Sequence, residues 1–190
     1  MIRIGILGDI GSGKSFVAKN FGYPVFNADQ EVSKLYKKDK KIFFKLKKKL
    51  PKNIFSFPIK KKEISEAILS NKSNLNRIIK VVHKEVRKKM NFFVKKNRNK
   101  KIIVLDIPLL LENKINKKDD ILVFIDSKKS DIKKRLKKRK NFDQKLINQF
   151  KKIQLPLSYK KNKAHYVINN KFIKKSVYND IRYILNKILI

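Results

Sequence analysis

Short apolar runs alternate along this chain with longer stretches in which apolar residues recur every three to four positions. The runs are rich in Ile, Val, Leu and Phe and predict five buried strands, at residues 2–7, 23–26, 101–106 with a continuation through 107–112, 121–126 and 165–168. The helical spacing predicts helices at residues 15–21, 30–38, 143–154 and 176–188, and one after Ser127, which can cap it. Because strands alternate with helices, we expect an α/β fold with a parallel sheet and helices on both faces.

One long segment departs from this alternation. Residues 40–100 are Lys-rich, show helical apolar spacing and contain no convincing strand, and Pro51 and Pro58 interrupt them. The best-defined helix of the segment begins near Asn74. Since 190 residues suffice for one α/β core and a small insertion, we predict a single unit with a helical insertion at 40–100.

The five glycines all lie between Gly5 and Gly22, and three of them fall in the segment Gly-Asp-Ile-Gly-Ser-Gly-Lys-Ser at residues 8–15. This segment fits the phosphate-binding pattern G-x-x-x-x-G-K-[ST] and stands between a predicted strand and a predicted helix. Glycine lets the backbone N–H groups close around phosphate oxygens. The residues expected to bind the nucleotide are Ile10, Gly11, Ser12, Gly13, Lys14, Ser15 and Phe16.

Two side chains of this loop have the chemistry of an ATP and magnesium site. Lys14 can neutralise the β- and γ-phosphates, and the Ser15 hydroxyl can bind Mg²⁺. The alternative is a turn that precedes a lysine by chance, but glycine is scarce in this chain and the order of strand, loop and helix is the required one. We therefore predict a P-loop NTPase fold, a three-layer sandwich around a five-stranded parallel sheet.

Asp29 follows the second predicted strand directly. In an open parallel sheet, ligands bind at the carboxyl ends of the strands, and the phosphate loop lies at that same edge. Asp29 is therefore a candidate functional residue. Its alternative role is that of a helix N-cap, because Asp commonly precedes a helix.

The chain is strongly basic, with 51 Lys and Arg against 15 Asp and Glu and a formal net charge of +36. The basic residues are mostly Lys and are dispersed, whereas a nucleic-acid reader usually clusters them and enriches Arg. The abundance of Lys, Asn and Ile is typical of an AT-rich coding sequence. We expect no specific nucleic-acid partner, although a basic nucleic-acid-binding P-loop protein stays open as the alternative of another class.

The chain contains no cysteine, which excludes disulfides, thiolate metal sites and cysteine nucleophiles. Met1 leads directly into the first predicted strand, so we expect no signal peptide. The longest apolar stretch, residues 102–111, is short and contains Asp106, so we expect no membrane span. These features predict a cytoplasmic protein.

Five motifs spread along the chain form one set of landmarks. They are Gly11-Ser12-Gly13-Lys14-Ser15, Asn27-Ala28-Asp29 for D-A-D, His83 with Val86-Arg87 for H-P-x-[VI]-R, residues 105–112 for D-[IV]-P-L-L-[FIL]-E, and residues 164–170 for A-D-[YF]-V-I-x-N. Through these landmarks, of which the D-I-P-L-L-x-E stretch is the most specific, the sequence resembles the dephospho-coenzyme A kinase family over nearly its whole length.

This resemblance implies a nucleoside-monophosphate-kinase-like core, a helical region that receives dephospho-CoA, and a lid, at residues 127–155, that closes over ATP. It implies ATP- and Mg²⁺-dependent phosphorylation of the 3′-hydroxyl of dephospho-CoA. Asp29 is then the base that accepts the hydroxyl proton and positions that group for in-line attack. Arg139, together with Arg135, neutralises charge on the transferring phosphoryl group; the alternative is a solvated basic helix face.

The resemblance also implies a substrate site at His83, Arg87 and Leu109, and a magnesium role for Asp106 beside Ser15. Glu112 can hold its loop or a basic partner. His83 can instead be a packing residue, and Asp106 or Glu112 can instead simply cap a loop.

This chain departs from the family pattern at Leu7, Asp9, Asn27, Lys84 and His165. Asp9 places a carboxylate in a phosphate loop and should weaken anion binding unless its side chain points outward. Asn27 keeps a hydrogen-bonding group but loses a charge. The alternative enzyme is another small-molecule or nucleotide kinase on the same core, and we expect a monomer or a weak homo-oligomer.

Overall fold

The computed structural model describes residues 1–138 and 142–189. The chain forms two compact units, which we call the sheet unit and the helical unit. The sheet unit comprises Met1–Asn27, Asn97–Phe142 and Gln154–Ile190. The helical unit comprises Ala28–Lys96 and Asp143–Ile153.

The sheet unit contains the predicted five-stranded parallel sheet. Its strands are β1 (Ile2–Gly8), β2 (Val25–Asn27), β3 (Ile102–Asp106), β4 (Ile121–Asp126) and β5 (Tyr166–Asn169). The strands are ordered β2-β3-β1-β4-β5, and every neighbouring pair is parallel. All five carboxyl ends therefore meet at one edge, where Asn27 is in register with Asp106. This confirms the predicted α/β fold class.

One face of the sheet packs against two helices, α1 (Lys14–Asn20) and α9 (Lys174–Ile188). Alternate residues of β1, Ile4 and Ile6, are fully buried there. The core of this face also includes Val17, Ala18, Ile102, Val104, Val123, Ile125, Ile168, Val177, Ile181 and Ile184. Because six consecutive residues of β1 are buried, on both faces of the sheet, the first apolar run contains few polar residues.

On the opposite face, the segment that follows β3 packs back against the sheet. A Cβ added at Gly5 would lie 2.5 Å from Leu110 Cδ2, so a side chain at Gly5 would displace Leu110. The expectation that β3 continues through residues 107–112 is wrong, because β3 ends at Asp106 and turns follow. Pro108 lacks the N–H that a sheet ladder requires. Leu110, two residues later, is fully buried against the sheet rather than within it.

The sheet unit also contains α6 (Lys129–Lys137) and α8 (Leu157–Asn162). The sequence did not predict α8, whose six residues are too few to show a helical period. Among the described residues of this unit, two ion pairs are buried, Arg3 with Asp120 at 2.9 Å and Lys160 with Glu112 at 2.5 Å. Burial raises the pKa of Asp120 even though the Arg3 guanidinium lies beside it.

The helical unit contains five helices among its described residues, α2 (Ala28–Lys38), α3 (Lys40–Lys49), α4 (Lys61–Ser70), α5 (Asn74–Lys96) and α7 (Gln144–Lys152). The predicted helix near Asn74 is present as α5, which buries an apolar stripe at helical spacing. Asp143 caps α7 by accepting a hydrogen bond from Leu146 N.

Glu63 fastens a loop to α4 inside the helical unit. It is almost fully buried and accepts hydrogen bonds from the backbone N–H groups of Phe55 and Ser56 and from Ser56 Oγ. Burial alone raises the pKa of Glu63, but these hydrogen bonds prevail and the pKa is lowered from its ordinary value of 4.5.

Within residues 1–138 and 142–189, no helix is both long enough and apolar enough to cross a membrane.

Candidate functional site

The phosphate-binding pattern forms a loop between β1 and α1, at the carboxyl edge of the sheet. Gly8, Gly11 and Gly13 have φ angles of 142°, 89° and 93°, which favour glycine strongly. A Cβ at Gly13 would lie 2.4 Å from Asn170 Nδ2. The glycines are therefore needed both for the backbone turn and for close packing around it.

Lys14 directs its ammonium group back across the loop. Its Nζ donates hydrogen bonds to Gly8 O at 3.1 Å and to Asp9 O at 2.7 Å. Two loop carbonyls thus hold the cation beside the backbone N–H groups of the same loop. This arrangement provides a positive charge and hydrogen-bond donors for a bound anion.

Asp9, the unusual carboxylate of the loop, folds onto its own backbone. Asp9 Oδ1 accepts a hydrogen bond from Ile10 N at 2.6 Å. The side chain therefore binds one of the donors that the loop offers. The expected weakening of anion binding by Asp9 stays a prediction.

The Ser12 carbonyl is fixed by two side chains that follow other strands. Ser127, just after β4, donates from Oγ to Ser12 O at 3.0 Å. Asn170, just after β5, donates from Nδ2 to the same oxygen at 2.8 Å. The prediction that Ser127 caps a helix is wrong: Lys128 is the N-cap residue of α6, and the Ser127 hydroxyl is used by the phosphate loop.

Sequence reasoning assigned no site role to Ser127 or Asn170. A signal was available, because both residues are polar and stand at the carboxyl ends of strands, where ligand sites form in parallel sheets.

Asp106 and Asn27 form the polar pair next to the loop. Asp106 ends β3 and is 3% exposed, and its Oδ2 accepts a hydrogen bond from Asn27 Nδ2 at 2.5 Å. The same amide lies 3.5 Å from Ser15 Oγ, which accepts from it. The structure thus brings together Ser15 and Asp106, the two residues predicted to bind metal, through Asn27.

The other predicted residues of the sheet unit are less tightly grouped. Phe16 is 38% exposed at the start of α1, and Leu109 is half-buried with its carbonyl accepting hydrogen bonds from Asn113. Arg135 lies on α6, with its guanidinium carbon 4.3 Å from the centroid of the Phe172 ring. The prediction for Arg139 falls outside the described residues.

Three predicted residues belong to the helical unit. Asp29 is exposed and is the second residue of α2, which begins directly after Asn27, so it lies inside the helix and the alternative that it is the N-cap is wrong. His83 is half-buried and Arg87 is exposed, and both lie on α5. Their spacing of four residues places them on one face of that helix.

His165, which stands where the resemblance has Asp, has a structural contact. Its Nδ1 accepts a hydrogen bond from Leu122 N at 3.0 Å. Leu122 is near the amino end of β4, so this departure lies at the edge of the sheet opposite the phosphate loop.

Known proteins resemble this chain over nearly its whole length. The sequence profile of the dephospho-CoA kinase family matches residues 2–175. The chain is 33% identical to a dephospho-CoA kinase of Wolbachia sp. subsp. Brugia malayi, with 97% of each chain covered.

Solved structures share the fold of this chain as well. A Thermus thermophilus protein has a TM-score of 0.78 and 23% identity, over 100% of this chain and 98% of that one. A Campylobacter jejuni dephospho-CoA kinase has a TM-score of 0.63 and 20% identity, over 98% and 96%.

Proposed function

The chain belongs to the dephospho-CoA kinase family, and from this membership we propose that it transfers the γ-phosphoryl group of ATP to the ribose 3′-hydroxyl of dephospho-CoA, yielding coenzyme A and ADP. The observation that carries the proposal is the phosphate loop at the carboxyl edge of the sheet, with Lys14 held across it. Phosphoryl transfer depends mainly on positioning and charge stabilisation, and this loop provides both for the phosphates.

Ser15 and Asp106 are the proposed residues for Mg²⁺. Their hydroxyl and carboxylate oxygens are the hard donors that this cation prefers, and both contact the Asn27 amide. Among the described residues, no group of three or more His, Asp or Glu side chains could hold a metal ion, so the proposal takes water and substrate phosphates as the other ligands. When bound at Ser15 and Asp106, the ion would supply positive charge to the phosphates of ATP.

A test of this assignment is Asp106→Asn, which removes the carboxylate charge but keeps a polar side chain of similar size. We expect the Mg²⁺ concentration for half-maximal ADP formation to rise about tenfold or more, with a smaller change at saturating Mg²⁺. Titration of Mg²⁺ at fixed ATP measures it. An unchanged Mg²⁺ requirement would remove Asp106 from the site.

Asp29 is the proposed base and positioning group for the 3′-hydroxyl. It is exposed and stands two residues beyond Asn27, which ends β2 at the edge that carries the phosphate loop. Because an aspartate has an ordinary pKa of about 3.9, its main contribution is to orient the hydroxyl by accepting its hydrogen bond.

The remaining proposed contacts concern substrate and lid. His83 and Arg87 on α5, with Leu109 after β3, are assigned to dephospho-CoA, since an Arg fork suits a phosphate. Arg135, and Arg139 beyond the described residues, are assigned to the phosphoryl group at the lid, residues 127–155. Cytoplasmic location, a monomer or weak homo-oligomer, and the absence of a specific nucleic-acid partner stay predictions from the sequence.

The experiment measures ADP and coenzyme A formation with Mg²⁺-ATP and dephospho-CoA, with adenosine, AMP and nucleic acid as comparison additions. We expect strong stimulation by dephospho-CoA alone. Asp29→Asn should lower kcat about 100-fold or more, the usual range for loss of a general base. Glu31→Gln is the matched control, because it removes a carboxylate charge from the same first turn of α2.

Each alternative has its own result. Turnover with adenosine or AMP but not dephospho-CoA would identify another small-molecule kinase, and turnover that required nucleic acid would identify the basic nucleic-acid-binding protein. If Asp29→Asn and Glu31→Gln behaved alike, Asp29 would lose its catalytic assignment.

A further inference from the structure

We propose that Asn170 is a positioning residue for ATP. One end of its side-chain amide orients the phosphate loop, and the other end holds Phe172, whose ring contacts Arg135. The inference rests on the proposed function in taking ATP as the ligand. Asn170 is 2% exposed and follows the edge strand β5. Its backbone N donates to Asp126 O at 2.7 Å, which fixes the residue at the carboxyl edge of the sheet.

The donor end of the amide acts on the phosphate loop. Asn170 Nδ2 donates to Ser12 O at 2.8 Å, and Ser127 Oγ donates to the same oxygen at 3.0 Å. In a planar trans peptide the C=O and the next N–H point in opposite directions. Asn170 holds the Ser12 carbonyl on the side of the Ser12–Gly13 peptide bond that faces Asn170. The Gly13 N–H therefore points to the opposite side of that peptide bond, where it is available to an anion.

The acceptor end of the amide acts on Phe172. Asn170 Oδ1 accepts a hydrogen bond from Phe172 N at 2.9 Å. Phe172 has a φ angle of 61°, in the left-handed region that bulky residues rarely adopt. The hydrogen bond therefore holds Phe172 in a conformation that its own side chain disfavours.

The Phe172 ring in turn supports a cation next to the loop. The Arg135 guanidinium carbon lies 4.3 Å from the ring centroid, a cation–π distance. A Cβ built at Gly13 would lie 3.3 Å from Arg135 Nη1 and 3.4 Å from Phe172 Cε1. Arg135 and Phe172 therefore adjoin Gly13, whose N–H is oriented by the Nδ2 end of Asn170. Through these contacts the Asn170 side chain positions both a hydrogen-bond donor and a positive charge for the triphosphate.

Asn has the side chain that this double role requires. Asp can accept from Phe172 N, but it cannot donate to Ser12 O and would place a carboxylate oxygen against a carbonyl oxygen. Asn170→Asp therefore breaks the contact with the loop and keeps the contact with Phe172. Phe172→Leu removes the support for Arg135 and keeps both hydrogen bonds of Asn170.

The test is calorimetric binding of ATP and of inorganic tripolyphosphate to the full chain, in about 0.2 M salt so that dispersed lysines are screened. We expect Asn170→Asp to weaken both ligands about tenfold or more. The matched control, Asn169→Asp, makes the same change at the exposed preceding residue and should alter both affinities less than twofold. In turnover, Asn170→Asp should raise the KM for ATP and leave the KM for dephospho-CoA within twofold.

Phe172→Leu should weaken ATP binding about threefold, because it removes the ring against which the Arg135 guanidinium packs. In an Arg135→Ala background the same change should have little further effect, because the cation that the ring positions is already absent. If Asn170→Asp does not fold, Ser127→Ala decides, since it removes one donor to Ser12 O and should weaken tripolyphosphate two- to fivefold.

Equal affinities for Asn170→Asp and Asn169→Asp, an equal rise of both KM values, or additive effects of Phe172→Leu and Arg135→Ala would overturn the inference. Binding that depends on Asn170 in a protein that forms no coenzyme A would instead refute the proposed function alone.

Discussion

The buried pair between Lys160 and Glu112 allows a stability prediction with a built-in control. The two charges are 2.5 Å apart, and their side chains are 1% and 9% exposed. Glu112 Oε1 also accepts a hydrogen bond from Leu155 N, so the carboxylate joins α8 and the segment before it to the loop after β3. Removal of one partner from a buried pair leaves the other charge without compensation.

We expect Lys160→Met to lower the free energy of unfolding by about 3–5 kcal/mol, the usual cost of breaking a buried pair. At about 2–4 °C per kcal/mol for a chain of this size, the melting temperature should fall by roughly 6–20 °C. The adjacent Lys161 pairs with Asp126 at 2.7 Å, but these side chains are 48% and 39% exposed. Lys161→Met should therefore cost only about 0–1 kcal/mol.

Urea unfolding followed by circular dichroism measures both variants under the same conditions. In a double-mutant cycle, the variant with both Lys160→Met and Glu112→Gln should lose less free energy of unfolding than the sum of the two single variants. The reason is that the double variant has no buried charge left without its partner. A cost for Lys160→Met within 1 kcal/mol of that for Lys161→Met would refute the assignment of a buried, energetically coupled pair.

Two further predictions concern one residue of each unit. Because the pKa of Glu63 is lowered on folding, its contribution to stability is present above its unfolded pKa of about 4.5 and is lost as the pH falls through the lower folded value. Glu63→Gln should thus lower the free energy of unfolding by about 1.5–3 kcal/mol at pH 7 and should remove the part of the acid destabilisation that Glu63 causes. Urea unfolding at pH 7 and 3.5 measures this. An equal loss of stability between the two pH values in the parent protein and in Glu63→Gln would contradict the prediction. Gly13→Ala places a Cβ 2.4 Å from Asn170 Nδ2 and should lower the affinity for ATP, measured by calorimetry, at least about tenfold. Gly22→Ala is the control, because Gly22 also has a positive φ but a Cβ there would meet no heavy atom within 4 Å, so the affinity for ATP should be kept. Equal affinities of the two variants would refute the packing argument.

Much of the fold followed from apolar periodicity, because each strand of a parallel sheet is buried as a short run. The strand order did not follow, since β1 pairs with β3 and β4 through residues about a hundred positions away and periodicity carries no information on partners. The apolar segment after Asp106 was assigned to a strand because burial against a sheet and burial within it look alike in sequence.

The sequence indicated candidate site residues where a residue type is itself informative. Lys14 and Ser15 follow from the loop pattern, and Asp106 from its place at a strand end. The contact between Asn27 and Asp106 and the anchoring of Ser12 by Asn170 depend on how strands pair. A polar residue at one strand end shows its role only when its neighbour in the sheet is known.

The central place of β1 also affects the synthesis of the chain. Both strands that flank it, β3 and β4, begin only at Ile102 and Ile121. At about 5–20 residues per second, the ribosome needs roughly 5–25 s to supply them after the first strand has been made. During that interval the apolar β1 and the phosphate loop leave the ribosome without their sheet partners, while residues 28–96, which form most of a separate compact unit, are completed. The phosphate loop is therefore translated well before the strands that complete its edge of the sheet.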